Sequence, residues 1–185
     1  MIIGHFFLAF ALTAIIGKYL EIEGQRLIKL GFLAALLALT PDVDIVFAFS
    51  EILTLGSGFY EFTDSFWTAS EATHRGLTHS LIILGAVSSG LMTYHRTGSK
   101  LFASALLTGF TAAALTQGLF SAATMAMFIA LGLLLTEKIG RNFTPREFGL
   151  TVITGLIIHP FGDVFTGTPP EFLYPLGLSL IESRI

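Results

Sequence analysis

Imidazoles and carboxylates recur at four places in an otherwise apolar chain. His5 stands alone near the start, and Asp42 and Asp44 lie within Thr40-Pro41-Asp42-Val43-Asp44. The run His74-Arg75-Gly76-Leu77-Thr78-His79-Ser80 holds two imidazoles and a guanidinium. His159-Pro160-Phe161-Gly162-Asp163 completes the set, with Thr166 just after it. Imidazole nitrogens plus carboxylate oxygens form the donor set of zinc, manganese and iron. Each group also has a plainer reading. A lone His on an apolar helix is often a satisfied structural residue. Thr40 can cap a helix beginning at Pro41, with Asp42 in its dipole-favoured first turn. His79 and Ser80 can belong to a polar loop that starts a helix. His159 and Asp163, at i and i+4, can pair on one helix face. Two acids flanking Val43 inside a hydrophobic run exceed what capping needs, and intramembrane carboxylates usually face an ion, a partner or a cavity.

The elements that must position these groups are apolar helices. The chain has 185 residues, of which 53% are hydrophobic and only 12% charged. Soluble domains carry about 25% charged residues, so the composition points to an all-α, polytopic membrane protein. Six spans are expected, at about residues 2–20, 27–49, 76–94, two within 101–136, and 148–165. The second is broken at Thr40-Pro41-Asp42, and the fourth and fifth turn at Thr116-Gln117-Gly118. Six spans of about 20 residues use most of the chain, leaving one membrane-embedded domain over 1–185. The first segment has no basic residue before its apolar run, since the nearest is Lys18, so it reads as a retained span rather than a signal peptide. There is no Cys, which excludes disulfides and thiolate sites. A net charge of −3 gives no support for a nucleic-acid partner.

Orientation follows from the cations. Lys18, Arg26, Lys29, Arg96, Lys100, Lys138, Arg141 and Arg146 all fall in odd-numbered connections. That places both termini outside a plasma or inner membrane. The same topology sets His5, Asp42, Asp44, His74, His79, His159 and Asp163 at one membrane level near the outer face, although none of them was used to derive it. His95 falls at the opposite face and reads as an interfacial residue.

The order of these motifs resembles the LexA-regulated, membrane-bound metal-dependent hydrolase family. Its pattern is an early His, Pro-Asp-x-Asp, His-Arg-x-x-x-His-Ser, and a late His-x-x-x-Asp followed by Thr and Pro. This chain presents His5, Pro41-Asp42-Val43-Asp44, His74 to Ser80, then His159, Asp163 and Thr166. The resemblance covers about residues 5–175. Pro160 and the long segment 56–73 depart from the pattern. The resemblance implies a hydrolase but no substrate.

The metal ligands are expected among His5, Asp42, Asp44, His74, His79, His159 and Asp163, holding one or two divalent ions, zinc or manganese. Asp44 would serve as a base and Arg75 would steady negative charge on a phosphoryl oxygen. A site at the outer interface favours a membrane lipid or lipid-linked phosphoester as substrate. A cation transporter or a metal-stapled structural protein is the competing expectation. Ser80 beside His79 does not make a nucleophile pair, because adjacent helical residues point about 100° apart.

Overall fold

The structure, a computed structural model, describes residues 2–44, 77–164 and 173, with backbone alone at Ile2 and Asp44. Helix α1 (Ile2–Tyr19) turns back into α2 (Gly24–Ala38), which leads to a 3-10 turn, Pro41–Asp44. A second 3-10 turn, Leu77–His79, leads to α3 (Leu81–Thr97), α4 (Lys100–Leu115) and α5 (Leu119–Lys138). After the turn Gly140–Asn142 comes α6 (Pro145–Val152). It passes through a π-turn, Ile153–Ile157, into the short α7 (His159–Asp163). No strand occurs among the described residues, and the class is all-α.

The helices are shorter than the expected spans. Only Leu119–Asn142, among the described residues, is by itself long and apolar enough to cross a membrane, with mean hydropathy 2.1. Ile3–Tyr19 and Lys100–Leu115 are apolar but shorter. The 16 residues of α4 reach about 24 Å, against a hydrocarbon core of about 30 Å. The expected hairpin turn at Thr116–Gly118 is present, with Gly118 at φ 116°. The break in the second span is also present, but Thr40 does not cap a helix there: its hydroxyl donates back to the Leu37 carbonyl, 2.7 Å away. The next element is a 3-10 turn of four residues, too short for the helix-dipole argument to hold Asp42. The third span starts its α-helix later than expected, because Ser80 accepts from Ile83 N as the N-cap of α3.

Small side chains let the helices approach closely. On α1 the buried residues are His5, Ala9, Thr13 and Gly17, one every four residues along a single stripe. That stripe faces α2, whose Gly31, Ala34, Ala35 and Ala38 are also buried. The π-turn completes the layer. Thr13 and Thr154 share a buried hydroxyl hydrogen bond of 2.6 Å. A Cβ on Gly155 would stand 2.6 Å from the Ala34 carbonyl oxygen, so only glycine fits there. Beneath lies the main core, where Leu33, Leu37, Leu84, Leu91, Phe128, Phe148 and Leu156 are fully enclosed.

The cation-bearing end is tied by polar contacts. Arg26 of α2 forks onto Glu147 of α6, with its second contact at 2.7 Å. Glu147 also closes a capping box with Thr144 ahead of Pro145, which starts this helix three residues before the expected span. Tyr94 and Arg141 both donate to Glu137 Oε2, at 2.8 and 2.7 Å. His95 is not the interfacial residue expected. It is buried, stacked on Phe148 at 4.3 Å, with Nε2 3.1 Å from the Gly140 carbonyl.

This packing has two measurable consequences. Gly155→Ala should destabilise the protein by about 1–3 kcal/mol, because backbone cannot yield as a flexible side chain does. Gly85→Ala, which meets nothing within 4 Å, should melt like the wild type; equal midpoints for both variants in detergent would contradict the close contact. The Arg26 guanidinium, hydrogen-bonded to the Glu147 carboxyl, is the main influence holding it down from 4.5 to about 2. A depressed carboxyl contributes stability above its unfolded pKa, and that contribution fades as pH falls from about 4.5 toward 2. Thermal melts of Glu147→Gln should therefore lie below wild type at neutral pH and converge with it at the acid end.

Candidate metal centre

Four helical rods end at the same place. His5 lies one turn into α1. Asp42 comes just after the end of α2. His79 sits in the 3-10 turn before α3, and His159 and Asp163 lie on α7 beyond the π-turn. The five side chains are each 4% exposed or less.

Local chemistry explains each placement. Leu39 and Thr40 stop α2, and Pro41 turns the chain so that Asp42 lies across the helix end. Ser80 begins α3 and leaves His79 in the tight turn before it, one residue outside the helix. Thr78 Oγ1 stands 3.0 Å from His79 Nδ1, which fixes the ring and directs Nε2 into the cluster. Pro160 has no N–H for the helical ladder. The chain accommodates it with the π-turn, in which Ile158 N reaches Ile153 O at 3.1 Å. Such π-turns often mark functional sites. Gly162 provides the floor for His5: a Cβ there would lie 2.8 Å from His5 Nδ1.

Asp163 joins three chain segments. Its Oδ1 lies 2.8 Å from His5 Nε2, and its Oδ2 lies 3.5 Å from His79 Nε2 and 3.6 Å from His159 Nε2. Asp42 Oδ1 approaches the same two nitrogens, at 3.4 Å from His79 and 3.2 Å from His159. The two Nε2 atoms are 3.1 Å apart. The rings crowd accordingly, with His159 centred 4.1 Å from His5 and 4.9 Å from His79.

These separations have a chemical meaning. Bonds of about 2.0–2.1 Å to a tetrahedral metal set donors about 3.3–3.4 Å apart along each edge. The five contacts among His79 Nε2, His159 Nε2, Asp42 Oδ1 and Asp163 Oδ2 run from 3.1 to 3.6 Å. These five separations are of the size that a shared divalent ion requires, and the imidazole and carboxylate donors suit zinc or manganese. His5, His79 and His159 each group with carboxylates closely enough to share one. Two overlapping triads, His5–Asp42–His159 and His79–His159–Asp163, leave room for one ion or two.

Of the seven ligands expected from sequence, His5, Asp42, His79, His159 and Asp163 come together. The side chain of Asp44, and His74, Arg75 and Thr166 entirely, lie outside the described residues. Sequence reasoning did not single out Thr78 or Gly162. Both sit inside the quoted motifs, next to a histidine and an aspartate respectively, and only that adjacency could have flagged them.

The family model described as YdjM inner membrane protein matches residues 1–183. No curated protein and no solved structure matches the chain. With all but two residues at its C-terminal end covered, this chain belongs to the YdjM inner membrane protein family.

Proposed function

We propose that this membrane protein is a metal-dependent hydrolase that acts on a lipid or lipid-linked phosphoester at the outer membrane interface. The reading rests on one observation: three imidazoles and two carboxylates from four separate helical rods converge at metal-ligand spacing, beneath the surface of an inner-membrane-family protein. The motif order shared with the metal-dependent hydrolase family adds to it. Six crossings with both termini outside complete the proposal, on the segregation of cations to one end.

Asp42, His79, His159 and Asp163 would hold the ion. When bound, a divalent metal supplies an acidified water and polarises an ester oxygen. The chain's own groups do the positioning. His5 holds Asp163 through its Oδ1, which leaves Oδ2 directed at the ligand nitrogens. The Thr78 hydroxyl on His79 Nδ1 keeps Nε2 available as a donor to the ion. Arg75 would meet substrate phosphate and Asp44 would assist as base, as expected from sequence.

One observation favours a second reading. The cluster offers more than three protein donors, and structural zinc sites are closed by four, whereas catalytic ones keep a position open. A metal staple that fastens α1, α2, α3 and α7 would use the same residues without turnover.

Replacing Asp42 or His79 with Ala should remove the metal from purified protein, as read by elemental analysis. His5→Ala should weaken metal affinity about 10–100-fold, the range for a group that orients a ligand. Release of phosphate or headgroup from mixed lipids by wild type, absent in Asp42→Ala, would support the hydrolase. Metal retention with no release, and a collapse of thermal stability on chelation, would assign the staple. Full metal content in both Ala variants would refute the centre itself.

A further inference from the structure

The end of the bundle opposite the metal centre carries eight cations, from Lys18 to Arg146, against four carboxylates: Glu21, Glu23, Glu137 and Glu147. Two of these cations are already paired, Arg26 with Glu147 and Arg141 with Glu137. Lys29 is exposed and forms no ion pair among the described residues. It lines a cavity of about 520 Å³ between α2 and the Gly140–Asn142 turn.

The α2 wall of that cavity has a graded chemistry. Gln25, Lys29, Phe32 and Leu36 succeed one another at helical spacing on one face, with Ile139 and Phe143 opposite. The face is polar and cationic over its first turn, at Gln25 and Lys29, then apolar. The eleven steps from Gln25 to Leu36 rise about 16 Å, a depth comparable to half a hydrocarbon core. Phe32 is 49% exposed although it lies in the lower, apolar part. Arg26, paired with Glu147 and held over the Phe143 ring at 5.5 Å, joins the upper wall to the opposite side of the cavity. A headgroup bearing negative charge matches the top of this face and a hydrocarbon chain matches the bottom. Basic pockets between membrane helices bind anionic lipids for these two reasons.

We propose that this cavity binds an anionic phospholipid, with its phosphate at Lys29 and Gln25 and an acyl chain along Phe32 and Leu36. The site uses none of the metal-centre residues, so it stands or falls separately from the hydrolase reading.

The test uses full-length protein in mild detergent, titrated with phosphatidylglycerol or with phosphatidylcholine of the same acyl chains, and read by native mass spectrometry. Phosphatidylglycerol should be retained preferentially. Lys29→Gln should weaken its binding about fivefold, the contribution of one cation near an anionic lipid. Lys100→Gln, another exposed cation at the same end that does not line the cavity, should bind as wild type. Phe32→Ser should weaken both lipids alike. Equal retention of the two lipids by wild type, or equal losses in Lys29→Gln and Lys100→Gln, would overturn the proposal. So would binding of soluble glycerol phosphate as tight as that of the lipid, since the apolar wall would then contribute nothing.

Discussion

Asp163 is the point on which the site depends. One carboxylate oxygen bonds His5 from the first helix, and the other faces His79 and His159. A charged group enclosed to this degree persists only with partners in place. Its described partners come from positions 5, 79 and 159, so satisfying this carboxylate brings three distant parts of the chain together. Asp42 repeats the constraint from a fourth direction through the same two imidazoles.

The rest of the fold lets these groups meet. α1 must lie close to α2 and to the π-turn, and its buried stripe of Ala9, Thr13 and Gly17 makes that approach possible. Gly155 lets the last rod press backbone against the Ala34 carbonyl. The π-turn then carries the chain past Pro160 and brings His159 and Asp163 to the cluster together. Gly162 leaves the space that the His5 ring fills. Helix breaks at Thr40 and near Pro160 shorten two rods, and both breaks contribute ligands. Regular helix is lost where the donors are needed.

The two ends of the bundle differ in kind. At the cation-bearing end, Glu147 and Glu137 each gather an arginine and a hydroxyl group, and His95 is absorbed into packing against Phe148. Carboxylates there meet guanidinium and are stably paired on their own. At the other end the described partners of the carboxylates are imidazoles, which are neutral metal donors as readily as they are cations. Those imidazoles make this end the candidate metal centre. His95 takes no part in the cluster: its ring nitrogen is engaged by the Gly140 carbonyl, at the opposite end of the bundle.

Sequence alone determined the all-α class, the membrane setting and the hairpin at Thr116–Gly118, because apolar length and turn residues are local properties. The alternation of the cations along the chain also led to the expectation that the candidate ligands share one end of the bundle, and His5, Asp42, His79, His159 and Asp163 do come together there. Tertiary structure decided what depends on several rods at once: that Asp163 divides its oxygens between His5 and the other two rings, that Thr78 orients His79, that Gly162 seats His5, and that His95 is buried. The helix cap expected at Thr40 failed for the same reason, since its hydroxyl had a nearer acceptor at Leu37 in the turn it closes. Donor spacing is a relation between segments up to 158 positions apart, from His5 to Asp163, and no local pattern encodes a distance of that kind.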